Sequence, residues 1–402
     1  MNIVVQKFGG TSLATPQTRT AALEHVEDAV QNNKQVVVVV SAMGRKGDPY
    51  ATDSLLGVLD ESLGTSPRDR DMLMACGESI SAVVFAGMLR SKGHEVTVLS
   101  GPQAGIITNN DYGNARILEI RTARILDAVK EGQIVVVTGF QGMTPDGDTT
   151  TLGRGGSDTS ATALGVALDA EYVDIFTDVD GIMTADPRIV NEAQKIKRMT
   201  YTEICNLAYQ GAKVIHPRAV EIAMQKNIPV RVRSTRSKDL GTLVTSGFEA
   251  LEHNVLSDRQ VTGVAHTAPV TQIQLRQEGI GQVDVFSPLA AHGVSLDVIL
   301  VSPDLIMFTV GQAETEEAEK VLSSMNLSPV IVRDCAKISA VGAGMAGVPG
   351  VMARIAEALK TYDVQMLQSS DSHASISVIV PLAKLEAGIR ALHEAFGLSA
   401  NH

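Results

Sequence analysis

The sequence has 402 residues, 44% of them hydrophobic and 20% charged, with a formal net charge of −11; this length calls for two or three packed domains in a globular protein. The absence of Trp and an aromatic content of 3% argue against a base-stacking surface for nucleic acid. The acidic balance excludes a general cationic field for nucleic acid or membrane, so an anionic ligand must be held by local positive groups and backbone amides.

The amino-terminal MNIVVQKFGG runs directly into a strand and has no signal-peptide pattern. No apolar run reaches the roughly 20 residues of a membrane span, and a cytoplasmic location is expected. Strand patterns follow at Asn2–Gln6, Gln35–Val40, Val96–Ser100, Gln133–Thr138, Tyr172–Thr177 and Pro229–Arg233. Several are continuous apolar runs, as in strands buried on both faces. Helical patterns fall between them at Gln17–Gln31, Arg70–Ser91, Ala115–Lys130, Ser157–Leu168 and Arg218–Lys226. This alternation predicts an α/β fold with a mostly parallel sheet and helices on both sides. Ligands then belong at the carboxyl ends of the strands.

The rhythm changes after Ser246. Residues 246–260 are polar and are expected to be a linker between a domain at 1–245 and a smaller tail. The tail holds two units of βαββα order, at 261–330 and 331–402, which suggests an internal duplication. In the first, a strand Val270–Arg276 precedes the helix; in the second, the strand is Ala336–Val341. The strand Val261–His266 is free to pair with either unit. The three cysteines, Cys76, Cys205 and Cys335, are widely spaced and form no CxxC, so neither a disulfide framework nor a zinc site is indicated.

Four motifs carry chemistry. Lys7-Phe8-Gly9-Gly10-Thr11-Ser12 follows a strand; paired glycines let backbone amides approach a phosphate, and Lys7 adds a full charge. Thr151-Leu152-Gly153-Arg154-Gly155-Gly156-Ser157-Asp158 opens a helix and makes a second anion site, with Arg154 able to grip a carboxylate and Ser157 or Asp158 able to cap. Phe176-Thr177-Asp178-Val179-Asp180-Gly181, running on to Thr184-Ala185-Asp186-Pro187-Arg188, fails the EF-hand pattern and fits a nucleotide-facing loop. Gly211-Ala212-Lys213-Val214-Ile215-His216-Pro217 places Lys213 near a helix start, and His216 is given no chemistry. Glu78 lies within an apolar helix and calls for a cationic partner, for which an amino-acid ammonium would serve. Ser41 and Thr52 are candidate donors to a carboxylate. Neither a Walker A loop nor protein-kinase elements are present.

Together with Ser41-Ala42-Met43-Gly44, these motifs resemble the aspartate kinase family in order and spacing, and the tail resembles its tandem ACT domains. The resemblance implies the amino-acid-kinase fold, an α/β/α sandwich. It implies Lys7, Asp158 and Lys213 as catalytic residues, with Asp158 organising the lysines. It implies ATP against Lys7, Phe8, Gly9, Gly10, Ser41, Thr177, Asp178, Asp186, Pro187, Arg188, Lys213 and Val214. It implies aspartate against Thr52, Glu78, Arg154, Gly155, Gly156 and Ser157. No protein metal site is implied; Mg2+ would be held mainly through the ATP phosphates. A homodimer through the ACT units and a feedback amino-acid effector follow from the same resemblance, with lysine, threonine, diaminopimelate or no effector all open. A carboxylate acceptor is already ionised and needs no general base, so catalysis reduces to alignment and charge neutralisation.

Two rivals remain: a kinase of another acceptor on this fold, and a non-catalytic amino-acid sensor built on the ACT units. A GxGxxG at Gly342–Gly347 suggests a dinucleotide loop, but too little chain follows for a second βαβ unit, and an ACT loop is the better reading.

Overall fold

The structure, a computed structural model, describes residues 2–60, 64–212, 214–246, 260–276, 281–342, 345 and 348–399. The chain divides into two compact units. The first comprises Met1–Ile182, Lys195–Cys205 and Lys213–Leu256; the second comprises Met183–Gln194, Asn206–Ala212 and Ser257–His402. Most of the expected linker, residues 277–280, and most of the Gly342–Gly347 motif lie outside the described residues.

Strands of the first unit are β1 (Ile3–Phe8), β2 (Gln35–Val40), β3 (Val96–Leu99), β4 (Ile106–Thr108), β5 (Ile117–Ile120), β6 (Ile134–Thr138), β7 (Gln141–Met143), β8 (Thr149–Thr151), β9 (Tyr172–Thr177), β10 (Arg198–Thr200), β11 (Val230–Ser234) and β12 (Thr242–Thr245). Eight form one sheet in the order β10-β12-β11-β9-β1-β2-β6-β3, parallel throughout from β11 to β3. β5, β4, β7 and β8 form a second, smaller sheet.

The helices that matter for the site are α1 (Gly10–Leu13), α2 (Pro16–Gln31), α3 (Thr52–Leu56), α4 (Pro67–Met74), α5 (Cys76–Ser91), α6 (Ala123–Lys130), α7 (Gly156–Ala167), α8 (Tyr201–Tyr209) and α9 (Pro217–Met224). α2 starts at a Thr15 cap reciprocated by Thr18, with Pro16 in the first turn, where its missing N–H costs nothing. It packs with α5 on one face of the sheet, where Leu23, Val26, Phe85 and Leu89 meet Val4, Phe8, Val36 and Val38. Alternation along β1 then turns Lys7 to the opposite face, the face of α7.

Two expectations change. The pattern at Ala115–Lys130 is not one helix: a turn at Gly113 (φ +84°) reverses the chain, and β5 pairs antiparallel with β4 before α6 begins. The helix expected at Arg70–Ser91 starts earlier, at Pro67, and the Pro67–Ser91 run breaks at Ala75 into α4 and α5. By length and composition this run is apolar enough to cross a membrane, contrary to the reading of the sequence. Here, however, α5 buries Ala82, Phe85, Ala86 and Leu89 in the protein core, the pattern of a core helix.

The second unit contains β13 (Gly263–Arg276), β14 (Asp297–Val301), β15 (Leu305–Gly311), β16 (Val330–Val341), β17 (Gln368–Asp371) and β18 (Ser375–Pro381), with α10 (Gln282–Ala291), α11 (Thr315–Ser324), α12 (Val351–Thr361) and α13 (Leu385–Ala395). All six strands form one antiparallel sheet, β14-β15-β13-β16-β18-β17. Both βαββα units are present, but β13 and β16 are roughly twice the length read from the sequence. The first half of β13, Gly263–Thr267, pairs with β16 alone, whereas Val270–Gln274 also pairs with β15. The second half of β16, Cys335–Val341, pairs with β18. Val261 and Val264 accordingly join the core of the second repeat beside Ile338, Ile355 and Ile389. Pro269 breaks the alternation in the sequence and hides the continuity, because Pro normally marks a strand end.

Candidate active site

β1, β2 and β6 end side by side: Phe8 is in register with Val40, and Val40 with Thr138. The loops that follow carry Gly9-Gly10, Ser41-Ala42 and Gly139-Phe140. Against them opens a cavity of about 550 Å³. Its lining includes Lys7, Gly10, Ser41, Thr52, Glu78 and the whole run Gly153–Asp158. The sequence thus scatters these residues over 150 positions, and the parallel topology gathers them on one rim.

The Lys7 ammonium and the Asp158 carboxylate pair at 2.6 Å, both side chains nearly buried. Gly10 makes the close approach that positions this loop. A Cβ there would lie 2.5 Å from the Gly44 carbonyl oxygen and 2.8 Å from that of Ala42. The Gly44 N–H donates to the Gly10 carbonyl at 2.9 Å and ties the first loop to the second.

Gly153 (φ +74°) and Gly155 (φ +70°) both take left-handed conformations that favour glycine. A Cβ on Gly155 would meet His216 Cβ at 2.3 Å. Arg154, between them, is exposed and lines the cavity. α7 begins at Gly156 with Gly155 as its N-cap and no side-chain capping bond, so Ser157 and Asp158 are not caps. They sit in the first turn, where the positive end of the helix dipole favours an anion. His216 accepts from the Arg218 N–H and caps α9, a structural task.

Glu78 is 2% exposed. One carboxylate oxygen accepts the Ala42 N–H at 3.0 Å; the other has no hydrogen-bond partner among the described residues. Burial pushes its carboxyl up to about 7, against a smaller opposing effect of the Ala42 N–H. A cationic ligand group would complete it. Thr52 opens α3 at the same cavity.

The residues assigned to ATP divide. Lys7, Gly10 and Ser41 line the cavity. The Phe8 ring does not: it is fully buried and stacks on Phe176 at 4.7 Å, because β1 alternation turns it to the face opposite Lys7. Only its backbone is available to a ligand. Thr177 ends β9, next to β1, and Asp178 follows it and pairs with Arg45 from the loop after β2. Asp186, Pro187 and Arg188 belong to the second unit and do not line the cavity. There Arg188 closes on Asp186 through its guanidinium and backbone N–H, at 2.7–3.2 Å, which holds the Asp186 carboxyl below its ordinary range. Val214 is half-buried and outside the lining. Lys213 lies outside the described residues.

One buried charge cluster was not read from the sequence. Asp174 on β9 accepts from Arg231 at 2.6 and 2.7 Å and from Arg233 at 3.2 Å, both on the neighbouring β11. Arg231 also stacks on Tyr172, 3.6 Å from the ring centroid. The Arg-Val-Arg alternation, which puts both guanidiniums on one face, was the available signal.

Residues 2–234 match the model of the amino acid kinase family, and residues 330–394 match an ACT domain. Over 405 aligned residues the chain is 53% identical to aspartokinase 1 of Bacillus subtilis (strain 168), covering 99% of this chain and 100% of that one. The chain belongs to the aspartokinase family. The aspartokinase of Geobacillus stearothermophilus is 39% identical over 411 residues, covering 99% and 98% of the two chains. Among solved structures, the aspartokinase fold of this chain is similar to E. coli aspartokinase III in complex with aspartate and ADP, R-state. The TM-score is 0.80 at 26% identity, covering 98% of this chain and 99% of that one. The T-state of that aspartokinase, in complex with lysine and aspartate, has a TM-score of 0.77 at 26% identity, covering 98% and 100% of the two chains.

Proposed function

We propose that this chain transfers the γ-phosphoryl group of ATP to the side-chain carboxylate of L-aspartate, giving 4-phospho-L-aspartate. The observation that carries this reading is the cavity itself. It gathers a buried Lys7–Asp158 pair, a desolvated Glu78 and an exposed Arg154 that makes no ion pair among the described residues. These groups suit two anions of different kinds, a phosphate and a zwitterionic dicarboxylate.

Lys7, with Lys213, stabilises the charge of the transferring phosphoryl group, and Asp158 holds the lysines in register. Gly9, Gly10 and Ser41 receive phosphate oxygens. Thr177, Asp178 and Val214 hold the rest of the nucleotide, and Phe8 contributes through its backbone. Arg154 grips the aspartate α-carboxylate, Glu78 takes the α-ammonium, and Thr52, Gly155, Gly156 and Ser157 complete the acceptor site. The carboxylates lining the cavity are Asp53, Glu78 and Asp158, of which Asp158 is engaged by Lys7 and Glu78 by Ala42. This donor set fits Mg2+ held mainly by ATP phosphate oxygens, where it supplies charge neutralisation.

The same reading gives a kinase domain at 1–245, a linker at 246–260, and ACT units at 261–330 and 331–402. The ACT units carry a feedback amino-acid effector and a homodimer contact, and the enzyme works in the cytoplasm.

Hydroxylamine trapping of the acyl phosphate tests the proposal, with magnesium–ATP and aspartate, glutamate or acetylglutamate in separate reactions. An aspartate-only hydroxamate is expected. Folded, ATP-binding protein that gives no signal with any acceptor would move the reading to a sensor.

A further inference from the structure

We propose that Asp71 and Arg218 are positioning residues that fix Arg154 for the acceptor carboxylate, an inference that rests on the substrate role given to Arg154 above. Neither residue lines the cavity. Asp71, on α4, is 0% exposed. One of its carboxylate oxygens accepts the Gly113 N–H at 3.0 Å and the Thr151 N–H at 2.7 Å; the other accepts the Thr151 hydroxyl at 2.9 Å. Arg218, on α9, donates to the Leu152 carbonyl at 3.1 Å and to the Ala115 carbonyl at 2.9 Å.

The four backbone groups belong to two short segments, 113–115 and 151–152, that lie side by side through an Ala115 N–H bond to the Thr151 carbonyl at 2.9 Å. An anion therefore takes an N–H from each segment, and a cation takes a carbonyl from each. Charge-assisted bonds of this kind are short and directional. Arg154 follows two residues after Leu152, between two left-handed glycines. Glycine gives that turn its conformation but also leaves it the largest freedom to lose, so the rigidity Arg154 needs must come from its neighbours. The Gly153 turn is itself seated on the clamped segment: a Cβ there would lie 2.9 Å from Asn114 Oδ1 and 3.0 Å from the Gly113 carbonyl oxygen. Acceptor orientation thus originates in a carboxylate and a guanidinium that never touch the acceptor.

The substitutions separate geometry from general stability. Asp71→Asn keeps an oxygen for both N–H groups, and its amide can donate to the Thr151 hydroxyl; Asp71→Ala orphans all three donors. Arg218→Lys retains charge but loses the fork that spans two carbonyls. Steady-state kinetics of the full chain by hydroxamate formation, with thermal melting, would compare these variants with Arg154→Ala. Asp71→Ala and Arg218→Lys are expected to raise KM for aspartate about 10-fold or more, with KM for ATP within about twofold of wild type and Asp71→Asn close to wild type.

If Arg154→Ala raises KM for aspartate while folded Arg218→Lys does not, the clamp is wrong and the site reading stands. If Arg154→Ala leaves KM unchanged, the site reading fails, and the clamp fails with it. Should Asp71→Ala not fold, Arg218→Lys and Asp71→Asn decide the matter. Equal rises in KM for both substrates would overturn the proposal in favour of general loosening.

Discussion

Lys7 and Asp158 meet at 2.6 Å between the end of a central strand and the first turn of the helix that packs on it. The carboxylate fixes where the ammonium points, and the adjoining Gly9-Gly10 backbone leaves the space before it open to a phosphate.

Lys7→Ala is expected to lower kcat by about 100-fold or more, the scale of losing one preorganised charge on a transition state. KM for aspartate should change little. Asp158→Asn keeps the shape of the pair but weakens the restraint, so a smaller loss is expected. Stopped assays of hydroxamate against both substrates check this; near-normal kcat in Lys7→Ala would remove Lys7 from the chemistry.

Glu78 predicts a pH signature. Its carboxyl is raised to about 7 in the folded chain by burial. Between its ordinary value of 4.5 and about 7, the unfolded chain has lost the proton that the folded chain keeps. The stability this group contributes is therefore present below pH 4.5 and falls as pH rises to 7, by roughly 3 kcal/mol. Binding an ammonium favours the charged form, so KM for aspartate should fall as pH rises through 7. Glu78→Gln should flatten that profile, raise KM at pH 8, and preserve or increase melting temperature there. A Glu78→Gln profile parallel to wild type would exclude the ammonium contact.

Asp174 is fully buried between two guanidiniums that are themselves largely buried. Asp174→Ala strands both cations and should destabilise the first unit by about 3–5 kcal/mol. Urea denaturation followed by far-UV circular dichroism is the suitable probe, since the chain has no Trp. A loss below about 1 kcal/mol would mean that water reaches the pair and that it behaves as a surface contact.

The six parallel strands of the central sheet were legible, several of them because they are buried on both faces and show as unbroken apolar runs, and β2 and β9 have the bounds the pattern gave; the short β10 and β12 beside them were not read. That Arg154 and Glu78 line one cavity was foreshadowed too, because glycines beside Arg154 and a lone Glu78 in an apolar helix violate the local expectation. The strands of the small sheet were not, since β4, β7 and β8 have three residues each and carry no measurable period. Asp71 and Arg218 escaped notice for a different reason. Both satisfy backbone groups distant in sequence, Arg218 reaching Ala115 across 103 positions, and no local pattern encodes such a partner.

The half-strand exchange between β13 and β16 bears on how the tail can change over time. If it arose by duplication, two self-sufficient copies have become a single woven sheet, with Gly263–Thr267 resting on the later copy and Val330–Ile331 on the earlier one. Recombination can no longer swap one copy for a homologue without leaving an unpaired edge in the other. Drift in either must be answered across the seam, so the pair is inherited, and selected, as one object.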